Sequence, residues 1–582
     1  MPRFNYRVNN NQISVELTID TTAKLSANFI FNNQQPLTLS LAGNKLKDIK
    51  VSVGSIDNEF WTIPTGKFEN VSFTAQVLAT PKFIANDDDL VAQANPKQAL
   101  VWSPSLNEKQ ILPAGYRLDN ALEPTDKFGR NVLFEPLGIA FTKEGNAYVS
   151  TRTAGVWKIT DNQWQQYAEG TFDSLGLVID DEHTVVVGEK PSLTRFYDSN
   201  QDGWAEKREV VSDKFRFNSN YHEYLHGPIK LRDGSYIYNL NLGHSLPGGY
   251  GNGGAMTTAG GYRGWAMKVD SKGETTTFAN GLRSPAGIGL HKNGTIYYTD
   301  NQGDFHGTSK LSILKEDNYY GHPAGLVDLP SMTSTSPEID WQVMKSKRDL
   351  AVGLLPHSRA INSPGSPIWD DTNGKFGPYK GQMFIGDQTQ SSIYRVHTET
   401  INGVEQSSLL PFMAVTSSGV LRLTFSPLDN SMWIGQTGRG WWAKGGNISG
   451  LQRIVWDGKT IPQSILSIEV HAKGYQLNFT QPVEKANQHS FDKLTVSSWY
   501  YEEDFNYGSA EKALRVESIS NLNWASNGKS VMFDIADFSV NKAKPAIQTS
   551  RVYEVDLTAT GFGQNLKPFH KKAWYTLNEI PH

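Results

Sequence analysis

The sequence predicts an all-β protein built around a β-propeller, on three observations. Of 582 residues, 52 are Gly and 27 Pro, and 11% are aromatic, including 15 Trp, which describes a turn-rich chain with a large aromatic payload. An apolar phrase that turns at a D-G or N-G type step into a second β-rich phrase recurs along the middle of the chain. Both ends alternate apolar and polar residues with the period of two that a half-buried strand requires.

Taken in order, residues 1–95 contain QISVELTI and KLSANFIF between Asn, Gly and Pro clusters, and read as an N-terminal antiparallel β-sandwich. The stretch Asp87–Pro96, with its three consecutive aspartates, reads as a linker. Residues 96–461 carry the repeat: LGIAFTKEGNAYVST, LGLVIDDEHTVVVGE, GPIKLRDGSYIYNLN, AGIGLHKNGTIYYTD, SPIWDDTNGKFGPYKGQMFIGD and RLTFSPLDNSMWIGQ. A hairpin repeated at roughly 37 to 80 residues is the pattern of a propeller blade, whose small sheet buries its faces only against neighbouring blades. The expectation is a six-bladed propeller, with seven blades as the alternative. Residues 462–582 show short strands without that rhythm and read as a C-terminal immunoglobulin-like β-sandwich.

Composition removes several function classes. Lys and Arg number 55 against 59 Asp and Glu, so the net charge of −4 draws the molecule neither to nucleic acid nor to an anionic membrane. The absence of cysteine excludes disulfides, thiolate metal sites, cysteine nucleophiles and covalently attached c-type haem. The opening MPRFNYRVNNNQ lacks the pattern of a signal peptide, and no run of 18 apolar residues offers a membrane span; the expectation is a soluble chain, numbered after removal of a leader.

Three groups of residues could carry chemistry. DSNQDGWAEKRE places Asp198, Asn200, Asp202, the Trp204 carbonyl and Glu209 at the spacing of a calcium loop, because alternate short oxygen ligands and a glycine turn can wrap one ion. An Asp/Asn-rich turn without an ion gives the same letters. NYHEYLHG and LNLGHSLPGG supply His222, His226 and His244, which strand ends can gather at one mouth of a propeller, where imidazole is the side chain suited to take a proton near neutrality. The glycine-dense loop after His244 ends in Tyr262, Arg263 and Trp265 and reads as a lid or an insertion. The third group holds Arg283, Gln302, Gly303, Asp304, His306 and His322, followed by His357, Arg359, Asp387, Gln388, Arg439, Trp441 and Trp442. Among these, arginine is the best fork for a carboxylate or a pair of quinone oxygens, and paired tryptophans can stack on a sugar or pack between blades.

The phrases LRSPAGIGLHKNGTIYYTDNQGDFHGTSKL, YYGHP, HSRAINSPGSPIWDD and KGQMFIGDQTQSSIYRV resemble those of the glucose/sorbosone dehydrogenase-like propellers, in the branch often fused to haem-binding modules. The resemblance spans roughly residues 100–580. It implies a periplasmic or extracellular sugar dehydrogenase that uses pyrroloquinoline quinone (PQQ) and calcium, with His222 as the base and His226 as its substitute. Arg283 would polarise the quinone, the Gln302–Gly303 turn would hold calcium, and Arg359 and Arg439 are candidates for the cofactor's carboxylates. Electrons would then pass to a separate acceptor. Two other readings stay open. His222, His244, Tyr262 and Arg283 could serve a polysaccharide lyase that abstracts the proton beside a uronate carboxylate, and the propeller could bind glycans without chemistry.

Overall fold

The computed structural model describes residues 3–8, 11–19, 24–41, 46–57, 60–77, 97–218, 220–244, 256–329, 341–440, 442–540 and 550–582. The expected linker at residues 87–96 and most of the glycine-dense loop lie outside them. The fold is almost entirely antiparallel β-sheet. The chain divides into two compact units, Met1–Asp89 and Leu90–His582.

In the first unit, the strands Arg3–Val8, Asn11–Ile19, Lys24–Asn33, Gly66–Val77 and Leu46–Val51 form one sheet, and Leu37–Ser40, Phe60–Ile63 and Ser55–Asp57 form another. Alternation decides what faces inward: in FWTI, Trp61 and Ile63 are buried while Phe60 and Thr62 are exposed. Trp61 and Ile63 join Phe31, Val71 and Phe73 in the core, and the Trp61 indole donates to the Val53 carbonyl at 2.9 Å.

In the second unit, each repeated phrase forms the first two strands of its own sheet. The first strands are Pro136–Phe141 (β1), Leu177–Asp181 (β2), Leu225–Lys230 (β3), Gly287–Leu290 (β4), Ile368–Trp369 (β5) and Val420–Phe425 (β6). The hairpins after β3 and β4 turn at Gly234 (φ 85°) and Gly294 (φ 97°), a left-handed conformation that glycine adopts without a steric penalty. Glycines also let neighbouring sheets meet backbone to backbone. A Cβ on Gly138 would collide with Leu177, one on Gly176 with the Gly227 carbonyl, one on Gly287 with Gly365, one on Gly365 with Leu421, and one on Gly435 with Pro136. These approaches join β1 to β2, β2 to β3, β4 to β5, β5 to β6, and the β6 sheet to β1. Tyr116–Ala121, which precedes β1, pairs with Ser449–Trp456 of the β6 sheet (Tyr116 opposite Trp456, Asn120 opposite Gln452), so strands from distant parts of the sequence close one sheet.

The last strands continue a sheet of the repeat region. The long edge Val404–Ala414 of the β5 sheet pairs with Lys572–Leu577, and Arg551–Asp556, Thr495–Tyr500 and Lys512–Val516 continue it into one eight-stranded sheet. An unpaired edge of eleven residues would expose a row of backbone donors and acceptors, and this extension covers part of it. A four-stranded sheet shares a core with the extension through Ile468, Tyr475, Leu477, Phe533, Tyr553 and Tyr575. Among the described residues, no helix is long and apolar enough to cross a membrane.

Candidate functional site

Where the first strands converge there is an open cavity of about 90 Å³, lined by Arg152, Leu175, His222, Tyr224, His226, Asn241, Ser284, Ala286, Asn301, Ser363, Gln388, Leu421, Thr437, Arg439 and Gly440. His222, Tyr224 and His226 enter it at every second residue of the segment that leads into and begins β3. The rings of His222 and His226 lie 5.9 and 6.0 Å from the Tyr224 ring.

Asn220 sets the position of the first histidine. Its Oδ1 accepts from the backbone N–H groups of His222 (3.0 Å) and His244 (3.2 Å), and its Nδ2 donates to the His244 carbonyl at 2.8 Å. This clamp brings the His244 ring to 6.4 Å from the His222 ring, beside the cavity. His222 Nδ1 lies 2.9 Å from the Leu242 carbonyl, which can only accept, so the ring proton is on Nδ1 and the lone pair on Nε2, 3.4 Å from Ser284 Oγ. Burial pushes the His222 pKa down to about 3, with the charges of Arg283, His244 and Lys190 acting in the same direction against the Leu242 bond, so the ring is a neutral base at physiological pH.

The mouth is charged. Arg152 donates to Asp173 at 2.9 and 2.7 Å and approaches Glu135 at 3.4 Å, while Arg439, over a third exposed, reaches Glu135 at 2.6 Å. Lys190 lies 3.9 Å from Asp173 and over the Tyr224 ring, and burial lowers its pKa. Deeper in, the surface is neutral and polar. The amides of Asn241 and Asn301 donate to Ser284 Oγ at 3.4 and 3.0 Å, and Gln388 Nε2 donates to the Thr437 carbonyl at 3.2 Å. Such a site can hold a polyhydroxylated ligand and take a proton from it at His222 Nε2.

Of the residues singled out by sequence, the structure brings His222, His226, Gln388 and Arg439 into the cavity, with His244 adjacent. Trp442 is exposed, and Trp441 lies outside the described residues. The others serve elsewhere. Tyr262 packs edge-on against Trp265. Arg263 is buried behind Tyr224, donating to the Arg216 and Tyr224 carbonyls. Asp387 accepts from the N–H groups of Asn362, Ser363, Thr389 and Gln390 and holds a turn. His357 meets Ser358 at 3.0 Å. Arg359 pairs with Glu511 at 2.5 Å and Glu554 at 3.1 Å and covers the Trp499 ring, tying the C-terminal strands down instead of meeting a cofactor.

The residues read as a calcium loop bond within their own turn. Asp198 accepts from the N–H groups of Asp202 (3.1 Å) and Gly203 (3.0 Å), Asn200 Oδ1 from Asp202, and Asp202 Oδ1 from Trp204, so the loop's own amides hold these oxygens in one turn. Glu209 turns away to Tyr197 and Arg195. Among the described residues, no group of three or more His, Cys, Asp or Glu is placed to hold a metal.

Arg283 and the Gln302–Gly303 turn, which the resemblance assigned to a quinone and its calcium, are engaged with each other and do not fit those roles. Arg283 Nε donates to Asp304 Oδ1 at 2.8 Å and its Nη1 to the Gln302 carbonyl at 3.0 Å, so the carbonyl offered to calcium already meets a cation. A Cβ on Gly303 would overlap the guanidinium, and the Tyr507 ring covers it at 5.2 Å. Asp304 also pairs with His322 at 3.0 Å, and His306 is buried against Lys310 at 3.1 Å. Backbone bonds from Phe305 to Asp504 and from Gly508 to Gly303 seal this turn under the C-terminal region.

Sequence reasoning missed Arg152, Tyr224, Asn241 and Ser284, and named Asn301 only as part of a carboxamide-rich turn. Tyr224 alone had a local signal, its place midway between two histidines on a period-two segment.

No family model matches the chain, and no curated protein does. Solved structures give coarse likenesses. An oxidoreductase of Thermus thermophilus described as a glucose dehydrogenase is 13% identical over 59% of this chain and 100% of its own, at a TM-score of 0.43. The PQQ domain of pyranose dehydrogenase from Coprinopsis cinerea is 12% identical over 60% of this chain and 98% of its own, at 0.43. The PQQ-bound aldose sugar dehydrogenase of Streptomyces coelicolor is 13% identical over 59% of this chain and 99% of its own, at 0.40.

Proposed function

We propose that the chain is a carbohydrate-active enzyme, built as a six-bladed propeller closed by Tyr116–Ala121, in which His222 takes a proton from a sugar bound in the central cavity. The observation that supports this reading is the polarity of His222: its proton is held on Nδ1 by the Leu242 carbonyl, and its basic nitrogen lies at a cavity lined by hydroxyl and amide groups. In the oxidative form, the sugar O–H proton passes to Nε2 and the hydride on the same carbon leaves to a diffusible two-electron acceptor, giving a carbonyl. The second form is β-elimination from a uronate-containing glycan, in which Arg439, paired with Glu135 at 2.6 Å and 37% exposed, would also meet the carboxylate.

Dye reduction with neutral sugars supports the first form, and ultraviolet absorbance of an unsaturated product from uronate polymers supports the second. In either, His222→Ala is expected to lower turnover about 10²- to 10⁴-fold while the protein still folds. Retention of full turnover by that variant removes His222 from the chemistry. Glycan binding with neither activity returns the chain to a binding role.

A further inference from the structure

We infer that Arg422, beneath the cavity, fixes His226 as a hydrogen-bond donor, so that His222 and His226 meet one ligand with opposite polarity, and that this ligand is a neutral polyol. The ligand part rests on the carbohydrate reading above. Arg422 is buried and reaches between sheets: Nε and Nη2 donate to the Leu175 carbonyl, Nη1 to the Ala286 and Leu421 carbonyls, and Nη2 to His226 Nδ1 at 2.9 Å. A guanidinium has no lone pair to offer. His226 Nδ1 therefore carries the lone pair, its proton is on Nε2, and a second proton beside Arg422 is disfavoured. His222 has the reverse arrangement, with Nδ1–H on the Leu242 carbonyl and the lone pair on Nε2. A ligand that satisfies both gives a hydrogen to one ring and a lone pair to the other, which hydroxyl groups can do. Asn241 Oδ1 and Asn301 Oδ1 are buried without a hydrogen-bond partner at the same cavity, and they too call for hydrogens. A carboxylate has none to give. The arginines at the mouth already face Glu135 and Asp173.

Long-range ¹H–¹⁵N correlation of the full chain with labelled histidine reads the tautomers directly, with His222→Gln and His226→Gln identifying the signals. The expected result is Nε2–H on His226 and Nδ1–H on His222, neither gaining charge between about pH 8 and pH 5. The groups facing His226 are Arg422, His222 and Arg152, and those facing His222 are Arg283, His244 and Lys190. Nδ1–H on His226, or a charged ring at neutral pH, overturns the role of Arg422. In Arg422→Met, His226 is expected to show both tautomers while His222 keeps its own; should that variant not fold, the wild-type spectrum decides. For the ligand, calorimetry with neutral aldoses and their uronic acid counterparts is expected to favour the neutral member at least about ten-fold. Equal or reversed preference, or no binding of either set, overturns the polyol assignment. Turnover of His222→Ala tests the carbohydrate reading separately.

Discussion

The molecule holds two clusters of histidine and arginine, and they have opposite fates. One, around His222, His226, Arg152 and Arg439, lines an open cavity, with His222 Nε2 at the cavity surface. The other, around Arg283, Asp304, His306 and His322, is sealed: Arg283 and Asp304 are 1% and 2% exposed, and Asp504 and Gly508 bond over their turn. The residue types are nearly the same. Charges in both are paired inside the protein, and what separates the clusters is whether a cavity reaches them. In the sealed cluster Asp304 takes both Arg283 and His322 beneath the backbone bonds of Phe305 and Gly508. In the open one, His222 Nε2 faces a hydroxyl at 3.4 Å and the side-chain oxygens of Asn241 and Asn301 have no hydrogen-bond partner.

This contrast is tested most severely by Asp304→Ala. Removing one member of a buried ion pair leaves the other charged and unpaired, which costs about 3–5 kcal/mol. Thermal melting is expected to show the loss, with turnover per folded molecule near that of the wild type. A stable variant without turnover would move the active centre to Arg283. The pair also sets an acid limit. Burial alone would raise the Asp304 pKa, but the bonds and charges of His322 and Arg283 outweigh it and hold the carboxyl well below its ordinary range. The stabilisation is then complete above the carboxylate's ordinary pKa and disappears as the pH falls through the lowered one.

The sequence made the sheets legible because their causes are local: a period of two, a glycine turn, and a second phrase long enough to pair. Each of the repeated phrases became two paired strands. The site was half legible. His222 and His226 stand out as imidazoles, whereas Ser284, Asn241 and Asn301 are ordinary residues in segments flanking other strands, made significant by the fold that brings them together. Arg283 was misread for a physical reason, since its role depends on Asp304 and on a covering segment far along the chain, around Asp504 and Gly508. The calcium spacing at residues 198–209 is genuine as a pattern, but letters do not show that backbone amides of the same turn bond to the same oxygens.

The two clusters also differ in what acid does to activity. Since His222 titrates near pH 3, below the ordinary 6.5, a rate limited by its basic form should stay level from neutrality down to about pH 5. Stability behaves differently over that interval: the unfolded chain protonates this histidine near its ordinary pKa and the folded chain does not, so unfolding becomes easier as the pH drops below about 6.5. A pH–rate profile corrected for the folded fraction separates the two. An acid limb near the ordinary histidine pKa of about 6.5 in the corrected rate would mean that water reaches the ring and that the cavity is not as dry as the burial of His222 implies.

The smallest effect belongs to a site with no part in either cluster. In the turn after Leu193–Tyr197, Asp198 is 2% exposed and its two oxygens hold the amides of Asp202 and Gly203, with His183 Nδ1 at 3.5 Å. Asp198→Ala removes those acceptors in one step and leaves two amides in a half-buried turn, a loss comparable to deleting a helix cap, about 1 kcal/mol. Because the stabilising partners are the turn's own N–H groups, the loss should be the same in calcium and in chelator, and the wild-type melting temperature should not respond to calcium. A wild-type melting curve that rises with calcium, and a variant that loses the rise, would show that an ion can displace those amides and would restore the loop as a metal site. The comparison would then extend to a third case, in which oxygens satisfied inside the protein still yield to a ligand of sufficient charge.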